Sequence, residues 1–124
     1  MPDKCPFCNP DPKKILVANT LCYAIFDRYP VSPGHILVLP FLHFPDYFES
    51  TPPEVEAFDA LLRRCRTRLG EEYHPDGYNV GVNVGNAAGQ TIPHMHIHVI
   101  PRYRGDSLHP RGGIRGVIPE KQDY

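Results

Sequence analysis

His94-Met95-His96-Ile97-His98-Val99-Ile100 alternates polar and apolar residues with the period of a β-strand. In a strand, alternate side chains share a face. Three imidazoles would therefore line one side at intervals of roughly 6–7 Å, while Met95, Ile97 and Val99 plug the core on the other. A row of titratable, strongly hydrogen-bonding rings gains nothing in packing that leucine or threonine would not give more cheaply, so the row points to chemistry. Two kinds fit. His-x-His on a strand can present two nitrogens to zinc, and an imidazole can act as a nucleophile while its neighbours orient it and stabilise charge.

The rest of the chain must build a sheet around that strand. Ile15 to Ala18 and Cys22 to Phe26 are short apolar runs on either side of Asn19-Thr20, which reads as a hairpin. His35 to Leu39 is continuously apolar after its histidine and is bounded by Pro33-Gly34 and Pro40, as suits a central strand covered on both faces. Tyr78 to Val84 alternates valines with Asn79, Gly81 and Asn83, so the valines are expected on the core and the asparagines on a polar face. One helix is expected from about Thr51 to Leu69. Ser50 or Thr51 caps it, Pro52 and Pro53 lie in its first turn, Glu54 and Glu56 favour its positive end, and Gly70 stops it. Val55, Phe58, Leu61, Leu62, Cys65 and Leu69 form the buried stripe, and Arg63, Arg64, Arg66 and Arg68 a solvated face. The pattern is α+β: an antiparallel sheet of about five strands packed by one long helix.

A length of 124 residues holds one domain, 1–124. The 13 basic and 14 acidic residues nearly cancel, which argues against a nucleic-acid polymer as partner. Residues after Pro93 are net +2 and the rest net -3. No apolar run suits a bilayer, and Met1-Pro2-Asp3-Lys4-Cys5 lacks the apolar core of a signal peptide, so a cytoplasmic protein with no membrane partner is expected. Cys22 and Cys65 sit singly in apolar stretches and should be buried. Cys5-Pro6-Phe7-Cys8 is a close pair that asks for metal or redox chemistry in a reducing compartment.

Gly85 to Thr91 has two glycines, two alanines and the short polar Asn86, Gln90 and Thr91. Such a loop can curl backbone N–H groups around an anion. No Walker lysine and no acidic cluster accompanies it, against a P-loop or a magnesium-centred phosphatase.

Asn83, Gly85 to Thr91 and Pro93-His94-Met95-His96-Ile97-His98-Val99-Ile100-Pro101-Arg102 together resemble the signature of the histidine-triad family of nucleotide hydrolases and transferases. Phe26-Asp27 followed by Pro33-Gly34-His35-Ile36-Leu37-Val38-Leu39-Pro40 is similar to that family's first strand block. The likeness covers roughly residues 5 to 104 and looks closest to bacterial members grouped with diadenosine polyphosphate hydrolases.

The resemblance implies an α+β fold whose sheet continues across a homodimer. It implies cleavage of a dinucleoside polyphosphate or nucleoside phosphoramidate at the α-phosphorus through a nucleotidyl-histidine intermediate. His94, His96 and His98 would form the catalytic row, with His96 the nucleophile. His98 would meet the scissile phosphate or leaving group, and Gln90 and Thr91 the phosphate oxygens. Asp27 would bind ribose, unless it is only a turn residue, and Asn83 would reach the catalytic face from the neighbouring strand. His35 is expected as a structural hydrogen-bonding histidine. Phe7, Ile15 and Phe26 are candidates for a base pocket or for the core. By the same resemblance Cys5, Cys8, His43 and His94 would hold a structural zinc ion that ties the segment 1–14 to the sheet, although His43 could equally be a surface loop residue. The alternatives are a zinc hydrolase with catalytic metal on the histidine row, and a nucleotide-binding regulatory module without turnover. The tail 105–124 has no assigned task.

Overall fold

The computed structural model describes residues 5–124; residues 1–4 of the expected metal-binding segment lie outside the described residues. Five antiparallel strands, β1 (Val17–Ala18), β2 (Cys22–Phe26), β3 (Ile36–Pro40), β4 (Gly77–Val82) and β5 (Ile97–Arg102), form a sheet in the order β1-β2-β3-β5-β4. The one α-helix among the described residues, α1 (Pro52–Tyr73), crosses one face of it. β3 is central and all five of its residues are buried, as its unbroken apolar run requires.

Residue parity sorts the two faces. Ala24, Ile36, Val38, Ile97 and Val99 meet Phe58, Leu61, Cys65 and Leu69 of α1 in the main core, with Cys22 and Met95. Tyr23, Leu37 and Leu39 point the other way and pack with Phe7, which the amino-terminal segment lays across that face. Both lone cysteines, Cys22 and Cys65, are buried as expected.

Several element bounds differ from the sequence expectation. Thr51 caps α1 in a reciprocal box with Glu54, but Gly70 does not end the helix. α1 runs one turn further because Tyr73 packs on the core and Arg68 pairs with Glu72 at 2.9 Å. It stops at His74, whose left-handed backbone (φ 52°) precedes the helix-breaking Pro75. The helix arginines lie on the solvated face as expected, with Arg63, Arg64 and Arg66 exposed and Arg68 half-buried, yet two of them also reach the sheet. Arg64 and Arg68 donate to the carbonyls of Ala18 and Leu16 at 3.1 and 2.8 Å, covering the outer edge of the sheet beside β1. β4 is the other edge, and Val80 on it is 50% exposed rather than in the core.

Pairing of β5 starts only at Ile97, so His94, in a bend, and His96 precede the strand. Met95 donates to the Phe44 carbonyl there instead of to a sheet neighbour. β1 likewise begins at Val17 and β4 ends at Val82. Gly34, at φ +88°, turns the chain into β3, and a Cβ there would come within 3.0–3.3 Å of Leu69, Tyr73 and Pro101. After β5 the tail forms short 3-10 turns at Gly113–Val117 and Pro119–Lys121.

Candidate active site

The face opposite α1 is an open trough of about 1410 Å³, with His96 and His98 on its floor. Register sets His98 beside Leu37 of β3 and Gly81 of β4, so it stands in the middle of the sheet. Asp27, Asn83 and Thr91 also line the trough.

Hydrogen bonds assign a tautomer to each ring of the row. His96 Nδ1 lies 2.8 Å from the backbone carbonyl of His94, so Nδ1 carries the proton and donates it. Its Nε2 is left with a free lone pair. His35 Nδ1 accepts the Val31 N–H at 3.0 Å, which places the ring proton on Nε2. That nitrogen lies 3.0 Å from His98 Nδ1 and 3.4 Å from an Asp27 carboxylate oxygen. His98 therefore accepts on Nδ1 and keeps its N–H on Nε2. Burial, together with the neighbouring His96 and His35, pushes the His98 pKa down to about 4, so the ring is neutral near pH 7. Burial also lowers His35. The proton on His35 Nε2 fills the space between Asp27, His35 and His98, and explains that cluster as a hydrogen-bond relay.

His94 faces elsewhere. Its Nε2 donates to the Pro40 carbonyl at 2.9 Å, and its unprotonated Nδ1 looks toward Cys5 Sγ at 3.5 Å, Cys8 Sγ at 3.7 Å and His43 Nδ1 at 3.2 Å. Cys8 Sγ is 3.2 Å from His43 Nδ1. A tetrahedral zinc ion with ordinary Zn–N and Zn–S bonds has ligand–ligand edges of roughly 3.3–3.8 Å. Four of the six separations, 3.2–3.7 Å, are close to those edges, all four atoms lie within 4.8 Å of one another, and they are two thiols and two imidazole nitrogens, so the residues fit the group the sequence suggested. His43 is an exposed residue of the loop after β3, and its Nδ1 belongs to this cluster.

Three further expectations meet the structure differently. Gln90 does not line the trough: its amide nitrogen donates to the carbonyls of Pro45 and Ile92, and its oxygen accepts the Gly85 N–H. These bonds brace the loop. The loop itself closes inward, with the N–H groups of Ala88, Gly89 and Gln90 spent on the carbonyls of Gly85 and Asn86. Asp27 is both a turn residue, accepting the Tyr29 N–H at 2.8 Å, and a carboxylate on the trough. Phe7 is largely core, its ring 5.7 and 5.4 Å from those of His94 and His96, but it also lines the trough, as does Phe26. Ile15 packs against the core beneath.

Sequence reasoning missed Ile114 and Val117 of the tail, which form the far wall of the trough. Nothing in their local pattern announces it, because the contact is made by a turn and not by a periodic element.

The HIT domain family matches residues 9–105, and the chain belongs to that family. It is 36% identical over 115 residues to an adenylylsulfatase of Arabidopsis thaliana, covering 90% of this chain and 58% of that one. An AP-4-A phosphorylase of Mycobacterium tuberculosis is 33% identical over 109 residues, 86% and 55% of the two chains. The chain thus spans a little over half the length of these curated relatives. Among solved structures, a zinc-bound histidine triad family protein from Mycobacterium smegmatis superposes with a TM-score of 0.76 at 33% identity, covering 88% of this chain and 82% of that one. One from Sulfolobus tokodaii gives 0.76 at 31%, with 82% and 70% covered. Among the described residues, no helix is long and apolar enough to cross a membrane.

Proposed function

We propose that the chain is a nucleotide hydrolase or nucleotidyltransferase that cleaves a dinucleoside polyphosphate or nucleoside phosphoramidate at its α-phosphorus, with His96 as the nucleophile. The observation that carries this is the 2.8 Å contact between His96 Nδ1 and the His94 carbonyl, which fixes the tautomer with the Nε2 lone pair free. Relatives described as an AP-4-A phosphorylase and as a bis(5'-nucleosyl)-tetraphosphatase support the substrate class.

In the first step the Nε2 lone pair forms a bond to phosphorus while the bond to the leaving group breaks, its electron pair departing with that group. A leaving phosphate needs no proton; a leaving amine takes one from water. The nucleotidylated ring is cationic, and the His94 carbonyl that accepts its Nδ1–H stabilises the charge. The His98 Nε2–H can donate to a phosphoryl oxygen, its orientation held by His35. Water, or another acceptor hydroxyl, then attacks phosphorus and releases a proton to solvent, and the P–N bond returns its pair to His96. Asp27 is suited to ribose hydroxyls, and Asn83 and Thr91 to phosphate oxygens. Replacing His96 by Ala should lower turnover by at least about a thousandfold while nucleotide affinity stays within about tenfold. Turnover near wild type would end this mechanism.

Cys5, Cys8, His43 and His94 would hold zinc in a closed shell. Bound there, the ion supplies cross-linking and leaves no position to activate water.

A homodimer that extends the sheet fits the same reading. The β1 edge is covered by Arg64 and Arg68, whereas β4 is an edge bearing the half-exposed Val80. Light scattering should give twice the 14.1 kDa chain mass, and a monomer at micromolar concentration would refute the pairing.

A further inference from the structure

The tail is built to stand where it does. Arg102 grips both carboxylate oxygens of Asp106 at 2.8 Å and holds Asn79 at 2.7 Å with its remaining nitrogen, so the chain leaving β5 is turned back over β4. Asp106 also accepts the Tyr103 N–H at 2.9 Å. Beyond this clamp the tail closes on itself. Gln122 donates to the carbonyls of His109 and Arg111, Arg115 donates to Lys121, and the guanidiniums of Arg111 and Arg115 lie 5.1 and 4.7 Å from the Tyr124 ring centroid. Gly112, at φ +88°, permits the closure, since a Cβ there would run into the Gln122 carbonyl.

This closed unit sets Ile114 over Gly81, where a Cβ would lie 3.5 Å from the Ile114 Cδ1. Gly81 is the register partner of His98. Ile114 and Val117 are 63% and 76% exposed, so both side chains are open to a ligand in the trough. They face the same trough as the histidines, on the side opposite Ile25, Phe26 and Asp27 of the β2 end. The trough therefore has two apolar ends with His96 and His98 between them. A molecule with flat, weakly polar groups at both ends of a phosphate chain is complementary to that arrangement; a single nucleotide fills only half of it.

We propose that Ile114 and Val117, presented by the tail from Gly105 to Tyr124, form a second base subsite on the leaving-group side of the histidines, which selects dinucleoside polyphosphates over nucleotides with small leaving groups. This rests on the function proposed above and names its substrate class.

The test compares kcat/KM for diadenosine tetraphosphate with kcat/KM for adenosine phosphoramidate, whose leaving group is ammonia. In the double variant Ile114→Ser, Val117→Ser the ratio of the first to the second should fall about tenfold or more. Gly112→Ala, which opens the tail without altering either side chain, should lower it in the same direction. A ratio within twofold of wild type in both variants overturns the subsite, whether both rates fall together or neither does. The same ratio measured as dissociation constants for diadenosine tetraphosphate and adenosine monophosphate, in His96→Ala protein with and without the tail substitutions, tests the subsite without turnover. Absent chemistry and an absent subsite thus give separate results.

Discussion

Both ends of the described chain lie across the same face of the sheet, and they are held there by opposite means. The amino-terminal segment is anchored from within. Phe7 is 8% exposed and packs with Tyr23, Leu37 and Leu39, Tyr23 donates its hydroxyl to the Phe7 carbonyl, and Cys5 and Cys8 converge on His43 and His94. The carboxy-terminal tail is anchored by guanidinium contacts near the surface, and its aliphatic residues stay exposed. The first end borrows stability from the core; the second is a lightly attached wall. Structural support and the open wall of the trough are thus placed on one face without being tied to each other.

The strongest way to break this contrast is at the cysteine pair. With both Cys5 and Cys8 replaced by Ser, bound zinc should drop from close to one ion per chain to below about a tenth, with a loss of several kcal/mol of stability. Elemental analysis of untagged protein and a thermal melt measure both, and undiminished zinc in the double variant would disprove the site. Next in size is Phe7→Ala, expected to cost about 3–5 kcal/mol in a urea titration because a buried aromatic is removed. A cost below about 1 kcal/mol would show that the segment is not part of the core.

A pH titration gives a smaller effect. The folded His98 pKa, about 4, lies below the ordinary 6.5, so between these values the unfolded chain binds the proton more readily. Stability is complete above pH 6.5 and is lost as pH falls toward 4, on the order of 3 kcal/mol for this group. His98→Gln should flatten that part of the curve, and an unchanged slope would mean that His98 is not held neutral by its surroundings. Smallest of all is Arg111→Ala in the tail, which should change stability by less than about 1 kcal/mol. A loss comparable to that of Phe7→Ala would erase the distinction between the two ends.

What could be read from the sequence follows the same division. Strands β2 and β3, the helix with its Thr51 cap and the two-faced row 94–98 were legible because periodicity and punctuation encode them locally. The Cys5, Cys8, His43 and His94 set came from family resemblance, since one close thiol pair names only half of a tetrahedron. Gln90 shows where local composition misleads: an amide beside glycines looks free for phosphate, yet the carbonyls of Pro45 and Ile92, which chain position alone does not bring near, take its donors. Arg64 and Arg68 do lie on the solvated helix face, but their carbonyl partners, about fifty residues away in sequence, could not be read from it. The wall made by Ile114 and Val117 was illegible, as it depends on a non-periodic tail being folded back by the Arg102–Asp106 clamp.

The alternation around His96 also bears on how such a sequence can change over generations. Met95, Ile97 and Val99 are almost fully buried on one side, and His96 is anchored to the carbonyl two residues before it. Loss or gain of one residue between His94 and His98 would turn methionine or isoleucine toward the substrate and an imidazole into the core. The spacing can therefore drift only in steps of two, and each such step must also re-form the carbonyl contact of His96. Exchanges among apolar side chains of similar volume remain open while insertions and deletions are closed, so lineages of this fold should vary within that class at residues 95, 97 and 99 and hardly at all in their number.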